Sequence, residues 1–137
     1  GDTYATARFN FGDNYFLPNA SLSTSGISSS TDLGGFSLPE LVENAPVKIL
    51  VSNINEQDVI LYASNTKSGQ IGIYVYDQST GEFLGSKYLG FSNPFEVNSI
   101  INTADEGIAI GATTYVTGRF PRITLFKLST EELSSIF

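Results

Sequence analysis

The sequence predicts an all-β fold made of two antiparallel repeats of about 50 residues each, with an N-terminal strand ahead of them. Three observations predict it. Apolar and polar residues alternate with period two in TYATARFNF, as in a half-covered strand. Two runs, DVILYAS and IGIYVYD, are apolar on both faces, as covered inner strands are. The order of strands and turns then recurs between Val47 and Leu128. A β-sandwich is the alternative architecture for the same strands.

In TYATARFNF, Ala5, Ala7, Phe9 and Phe11 fall on one face and Tyr4, Thr6, Arg8 and Asn10 on the other. Residues 12–19, GDNYFLPN, carry Gly, Asn and Pro turn chemistry, and the Ser/Thr-rich stretch that follows reads as a loop over about 19–35. Pro39 suits the first turn of a short helix in SLPELVENA, with Ser37 as cap and Glu40 near the positive end of its dipole. That helix would end before Pro46. Val47, Ile49 and Val51 then share a strand face, and residues 58–64 and 71–77 are inner strands. Gly81 in Ser79-Thr80-Gly81 supplies the positive φ that closes a hairpin onto a strand at 82–89. VNSIIN, ADEG, IAIGATT, a GRFP loop and RITLFKLS repeat the scheme. Ser129-x-x-Glu132 is a capping box for a last helical turn, unless LSSIF forms a final edge strand. Ile73, Val75, Ile110 and Leu125 are the expected core positions.

The repeat can be read directly. VKILV at 47–51 matches VNSII at 97–101, VILYAS at 59–64 matches IAIGAT at 108–113, and IGIYVY at 71–76 matches ITLFKL at 123–128. One domain spans 1–137, with repeats at about 45–92 and 93–137. IYVYDQSTGEFLGSKYL resembles the hairpin of PQQ-like propeller repeats: a strand ending in Asp, a Thr-Gly turn and an outgoing strand. NSIINTADEGIAIGATT with ITLFKLS resembles the blades of bacterial secreted and lipoprotein propellers. The resemblance implies propeller-like blades over roughly residues 45–137. The Trp usual at the end of the PQQ-type turn is absent, since Gly85 and Ser86 follow Leu84, which argues against a quinone; no cofactor is expected. Closed propellers use about four to eight blades. Two blades imply that chains associate into a homo-oligomer, that the chain is a fragment, or that its two sheets pack face to face.

Composition narrows the functional classes. A hydrophobic share of 41% against a charged share of 15% suits a chain that buries a core. Fourteen acidic against seven basic residues give a net charge of −7, a field that opposes phosphate backbones and anionic lipid, so nucleic acid is not an expected partner. No apolar run approaches the roughly 18–20 residues that span a bilayer, and no cationic start leads into an apolar stretch, so the chain reads as a mature soluble protein without direct membrane insertion. Gly, Ser, Thr, Asn and Tyr are abundant, as in many secreted and envelope β proteins, and the expected location is extracytoplasmic: periplasm, cell surface or secreted.

Histidine and cysteine are both absent, which removes imidazole bases, thiolate nucleophiles, Ser-His-Asp triads and His- or Cys-ligated metal. Paired carboxylates are the remaining catalytic device, with Glu40 and Glu43, Asp105 and Glu106, and Glu131 and Glu132 as candidates, although a helix face, a turn and a helix start explain them better. No calcium-loop or nucleotide-loop pattern is present. Tyr62, Tyr74, Tyr76 and Phe126 lie on inner strands and read as core. Tyr115, Arg119 and Phe120 surround Gly118 between the last two strands and are the ligand-binding candidates, with Phe120 before Pro121 equally suited to covering the sheet end. The expected function is a non-catalytic binding or structural interaction module of a bacterial secreted or cell-envelope protein, with protein or glycan as partner. A carbohydrate-binding domain or a carboxylate-dependent glycoside hydrolase is the alternative.

Overall fold

Local turn chemistry sets the ends of the strands. A computed structural model describes residues 4–10, 12–20, 35–90, 95–115 and 120–136. Most of the expected Ser/Thr-rich loop lies outside the described residues. Gly12, at φ +84°, turns β1 (Tyr4–Asn10) into β2 (Asp13–Ala20). The stretch expected as turn is therefore mainly strand: Asn14, Phe16, Pro18 and Ala20 are its buried face, and this alternation outweighs the turn propensities of Asn and Pro. Pro18 is accommodated at a register shift in the β1–β2 pairing, where a missing N–H is tolerated. A two-residue strand, β3 (Phe36–Ser37), completes the first sheet, so the N-terminal strand is joined by two more.

The second sheet is a four-stranded antiparallel meander of β4 (Val47–Ile54), β5 (Gln57–Asn65), β6 (Ile71–Asp77) and β7 (Phe83–Leu89). Asn55 and Glu56 both have positive φ, the conformation that a two-residue hairpin needs to match strand twist. At the β6–β7 turn, Asp77 Oδ1 accepts from the backbone N–H groups of Ser79 and Thr80, and Gly81 donates back to the Asp77 carbonyl. The third sheet is a meander of β8 (Phe95–Asn102), β9 (Ile108–Thr114) and β10 (Arg122–Leu128). The fold is all-β: the described residues form three antiparallel sheets and no closed barrel. The strand order β4-β5-β6 recurs as β8-β9-β10.

No helix forms over 37–45. Its backbone groups bond outward instead: Leu38 N–H to the Asn14 carbonyl, Val42 N–H to Asn65, and the Glu40 carbonyl to Lys67 N–H. Leu38 and Leu41 are buried against neighbouring strands, and that burial with cross-strand bonding exceeds what one helical turn supplies. At the other end the capping box forms as a helix start: Ser129 accepts from Glu132 N–H, and α1 (Thr130–Ser134) follows. Leu133 is fully buried and closes one end of the larger core. Among the described residues no helix is long and apolar enough to cross a membrane.

Two apolar layers hold the sheets together. Val59, Leu61, Ile71, Ile73 and Val75 of the second sheet meet Val97, Ile100, Ile108 and Ile110 of the third. The opposite side of the same inner strands presents Ile60, Tyr62, Tyr74 and Tyr76 to Phe16 of the first sheet and to Leu38 and Leu41. Strands β5 and β6 are covered on both faces, as their runs predict. Leu125 departs from expectation. It lies opposite Gly111 and is 71% exposed, because Phe126 and Leu128 take the core-facing positions of β10 while Leu125 and Ile123 point to the outer side of the third sheet.

Candidate functional site

Strand alternation, with one register shift, places the residues of a cleft on one face of β6 and β7. Tyr74 lies opposite Ser86 and Gly72 opposite Tyr88 by alternation, and a register shift after Val75 sets Tyr76 opposite Phe83, so these side chains share one face of the hairpin. Phe36, Ser37 and Leu38 form the facing wall. The turn after Leu38 brings in Glu40. The resulting cleft has a volume of about 500 Å³. Tyr74 and Tyr76 are its buried floor, and Phe36, Phe83 and Tyr88 are its exposed aromatic walls.

One carboxylate organises the polar part. Tyr74 Oη donates to Glu40 Oε1 at 2.6 Å, and Tyr88 Oη contacts Oε1 at 2.9 Å and Oε2 at 2.8 Å. Burial raises both phenol pKa values, and their hydrogen bonds to Glu40 raise them further. Both hydroxyls therefore stay protonated and donate across the ordinary pH range. Among the described residues, Glu40 is the one charged residue lining the cleft.

The rings also support one another. Tyr74 and Tyr88 meet edge to face at 6.3 Å, Phe36 and Tyr76 lie 5.1 Å apart, and Tyr76 and Phe83 lie 5.4 Å apart. Gly72 permits this arrangement. A Cβ there would stand 2.6 Å from Tyr74 Oη and 2.8 Å from its ring, so only glycine lets the phenol lie across β6 toward Glu40.

No family model, curated protein or solved structure matches this chain.

The candidates from the last loop lie elsewhere. Tyr115 directly follows β9, and its hydroxyl donates to Glu96 Oε2 at 3.0 Å, a contact that raises the phenol pKa. Phe120 is 90% exposed and does not cover the sheet end. Arg119 lies outside the described residues. The carboxylate pairs are divided among separate tasks. Glu40 lines the aromatic cleft, whereas Glu43 lines a different depression with Asn44 and Lys67. Asp105 is ion-paired with Lys127 at 2.8 Å and accepts from Thr103, and Glu106 occupies a positive-φ turn position. Glu132 completes the α1 cap.

Sequence reasoning missed the cleft because its parts are far apart in the chain: Glu40 lies 34 residues from Tyr74 and 48 from Tyr88. The available signal was the β6–β7 hairpin itself. Once its turn is fixed at Ser79–Gly81, alternation puts Tyr74 and Tyr76 on one face and Ser86 and Tyr88 beside them, but Phe83 joins that face only through the register shift at Val75/Tyr76, which period two does not announce.

Proposed function

We propose that the protein is a non-catalytic binding module of a bacterial secreted or cell-envelope protein, and that the aromatic cleft around Glu40 is its ligand seat. The observation that carries this reading is the pairing of three exposed rings with one carboxylate held by two phenols. Rings left open to water in a concave site are a binding surface, because their burial by a ligand is favourable and a few polar groups suffice to orient it. The same geometry disfavours acid–base hydrolysis, which uses two carboxyl groups flanking one bond, whereas the described residues of this cleft offer one, already engaged by two donors. Composition and the resemblance to secreted propeller blades support the location.

The test is binding without turnover. Immobilised protein screened against small-molecule and glycan collections should retain ligands that Tyr88→Ala no longer retains, and a panel of chromogenic glycosides should stay intact. Hydrolysis that disappears in Glu40→Gln would instead establish the hydrolase alternative.

A second reading, a structural interaction role, is favoured by the outer side of the third sheet. Matching like-facing ladders, the Leu61–Val75 pair corresponds to Gly111–Leu125, 50 positions on in both strands. Val75 is buried by the third sheet, whereas Leu125 and its neighbour Ile123 (89% exposed) have no covering sheet among the described residues. We propose that this face stacks on another sheet, as blades do, giving a homo-oligomer. Light scattering would then return a multiple of 14.8 kDa that falls to the monomer in Ile123→Lys; a monomer at all concentrations removes this reading.

A further inference from the structure

We infer that the cleft recognises an alkylated ammonium group, the cationic head of a small molecule or of a methylated side chain. This rests on the reading of the cleft as a ligand seat.

The faces of aromatic rings carry negative quadrupole density, which attracts cations, most strongly those that shed water easily. Phe36, Phe83 and Tyr88 leave ring surface exposed in the lining of the cleft, beside the buried rings of Tyr74 and Tyr76. Glu40 adds a negative charge at the same place, and among the described residues no basic side chain lines the cleft to neutralise it. The net charge of −7 further concentrates cations at the surface.

Hydrogen-bonding capacity then selects among ligands. A neutral sugar ring asks for several free donors and acceptors around its hydroxyls. Here the hydroxyls of Tyr74 and Tyr88 are committed to Glu40, and among the described residues the other hydroxyl-bearing side chains lining the cleft are Ser37, Ser86 and the buried Tyr76. A methylated ammonium needs no such partners. It needs apolar walls with electron-rich faces and a nearby anion, which these residues supply.

The experiment is a two-dimensional NMR titration of the whole chain with three probes: choline, its uncharged isostere 3,3-dimethylbutan-1-ol, and methyl β-glucoside. Choline should give saturable shifts at Phe83, Ser86 and Tyr88, with the isostere about tenfold weaker. Glu40→Gln should bring choline down to the level of the isostere. Phe83→Leu keeps apolar bulk at an exposed position but removes a ring face, and should weaken choline while leaving the isostere unchanged. If glucoside saturates these resonances and choline does not, the cation inference is overturned while the cleft stands as a binding site. Equal binding of choline and isostere would also overturn it, leaving an apolar site. If no probe moves the cleft, the inference fails, and an empty outcome in the ligand screen would carry the broader reading down with it.

Discussion

Ile110 is fully enclosed between the second and third sheets, and replacing it with alanine should lower stability by roughly 2–5 kcal/mol through lost burial and the cavity left behind. Leu125→Ala, fifteen residues on, should change the stability of the isolated chain by less than about 0.5 kcal/mol, because that side chain meets solvent. Chemical denaturation of the two variants checks both. Asp105 gives a pH test. Its hydrogen bonds from Lys127 and Thr103 hold its pKa down to about 2 from an ordinary 3.8. The folded form therefore binds fewer protons than the unfolded one. The stabilisation is present above the unfolded value and is lost as pH falls through about 2. Carboxyl NMR of Asp105 should show this low midpoint, and Lys127→Ala should raise it toward 3.8.

At the level of elements, the β6–β7 hairpin was legible and the segment before β4 was not. Asp77, Ser79, Thr80 and Gly81 form a turn whose bonds are local, so four neighbouring residues specify it. SLPELVENA has the caps of a helix, yet its carbonyl and N–H partners lie on β2, β5 and the turn after it, contacts that no local pattern announces. The same distinction explains β2, where Pro18 and Asn14 read locally as turn residues and are used as the covered face of a strand. Gly72 carries the functional consequence for an element. Gly72→Ala should push the Tyr74 ring out of its place across β6, release its bond to Glu40 and weaken ligand retention, while the strand pairing survives. Retained binding in a folded Gly72→Ala protein would show that the Tyr74–Glu40 bond does not organise the cleft.

For the whole molecule, the repeated strand order and the two-sided inner strands could be read from periodicity, because burial on both faces leaves a continuous apolar run. The stacking of a complete first sheet on the second could not. It depends on Phe16 lying flat on Tyr62 at 4.3 Å and meeting Tyr74 edge-on, contacts more than 40 residues apart in the chain. Since β5 and β6 are covered on both sides, their central amides should be the last to exchange hydrogen, and those of the edge strand β10 should exchange much earlier. Exchange-resolved NMR would show this order. The proposed ligand seat is the cleft between the first and second sheets, and a residue-by-residue map of amide shifts, recorded while the protein is titrated with ligands from the screen, tests it. Shifts should concentrate at Phe36–Glu40, Tyr74–Tyr76 and Phe83–Tyr88; shifts gathered around Tyr115 and Phe120, with the cleft unmoved, would place the ligand seat elsewhere.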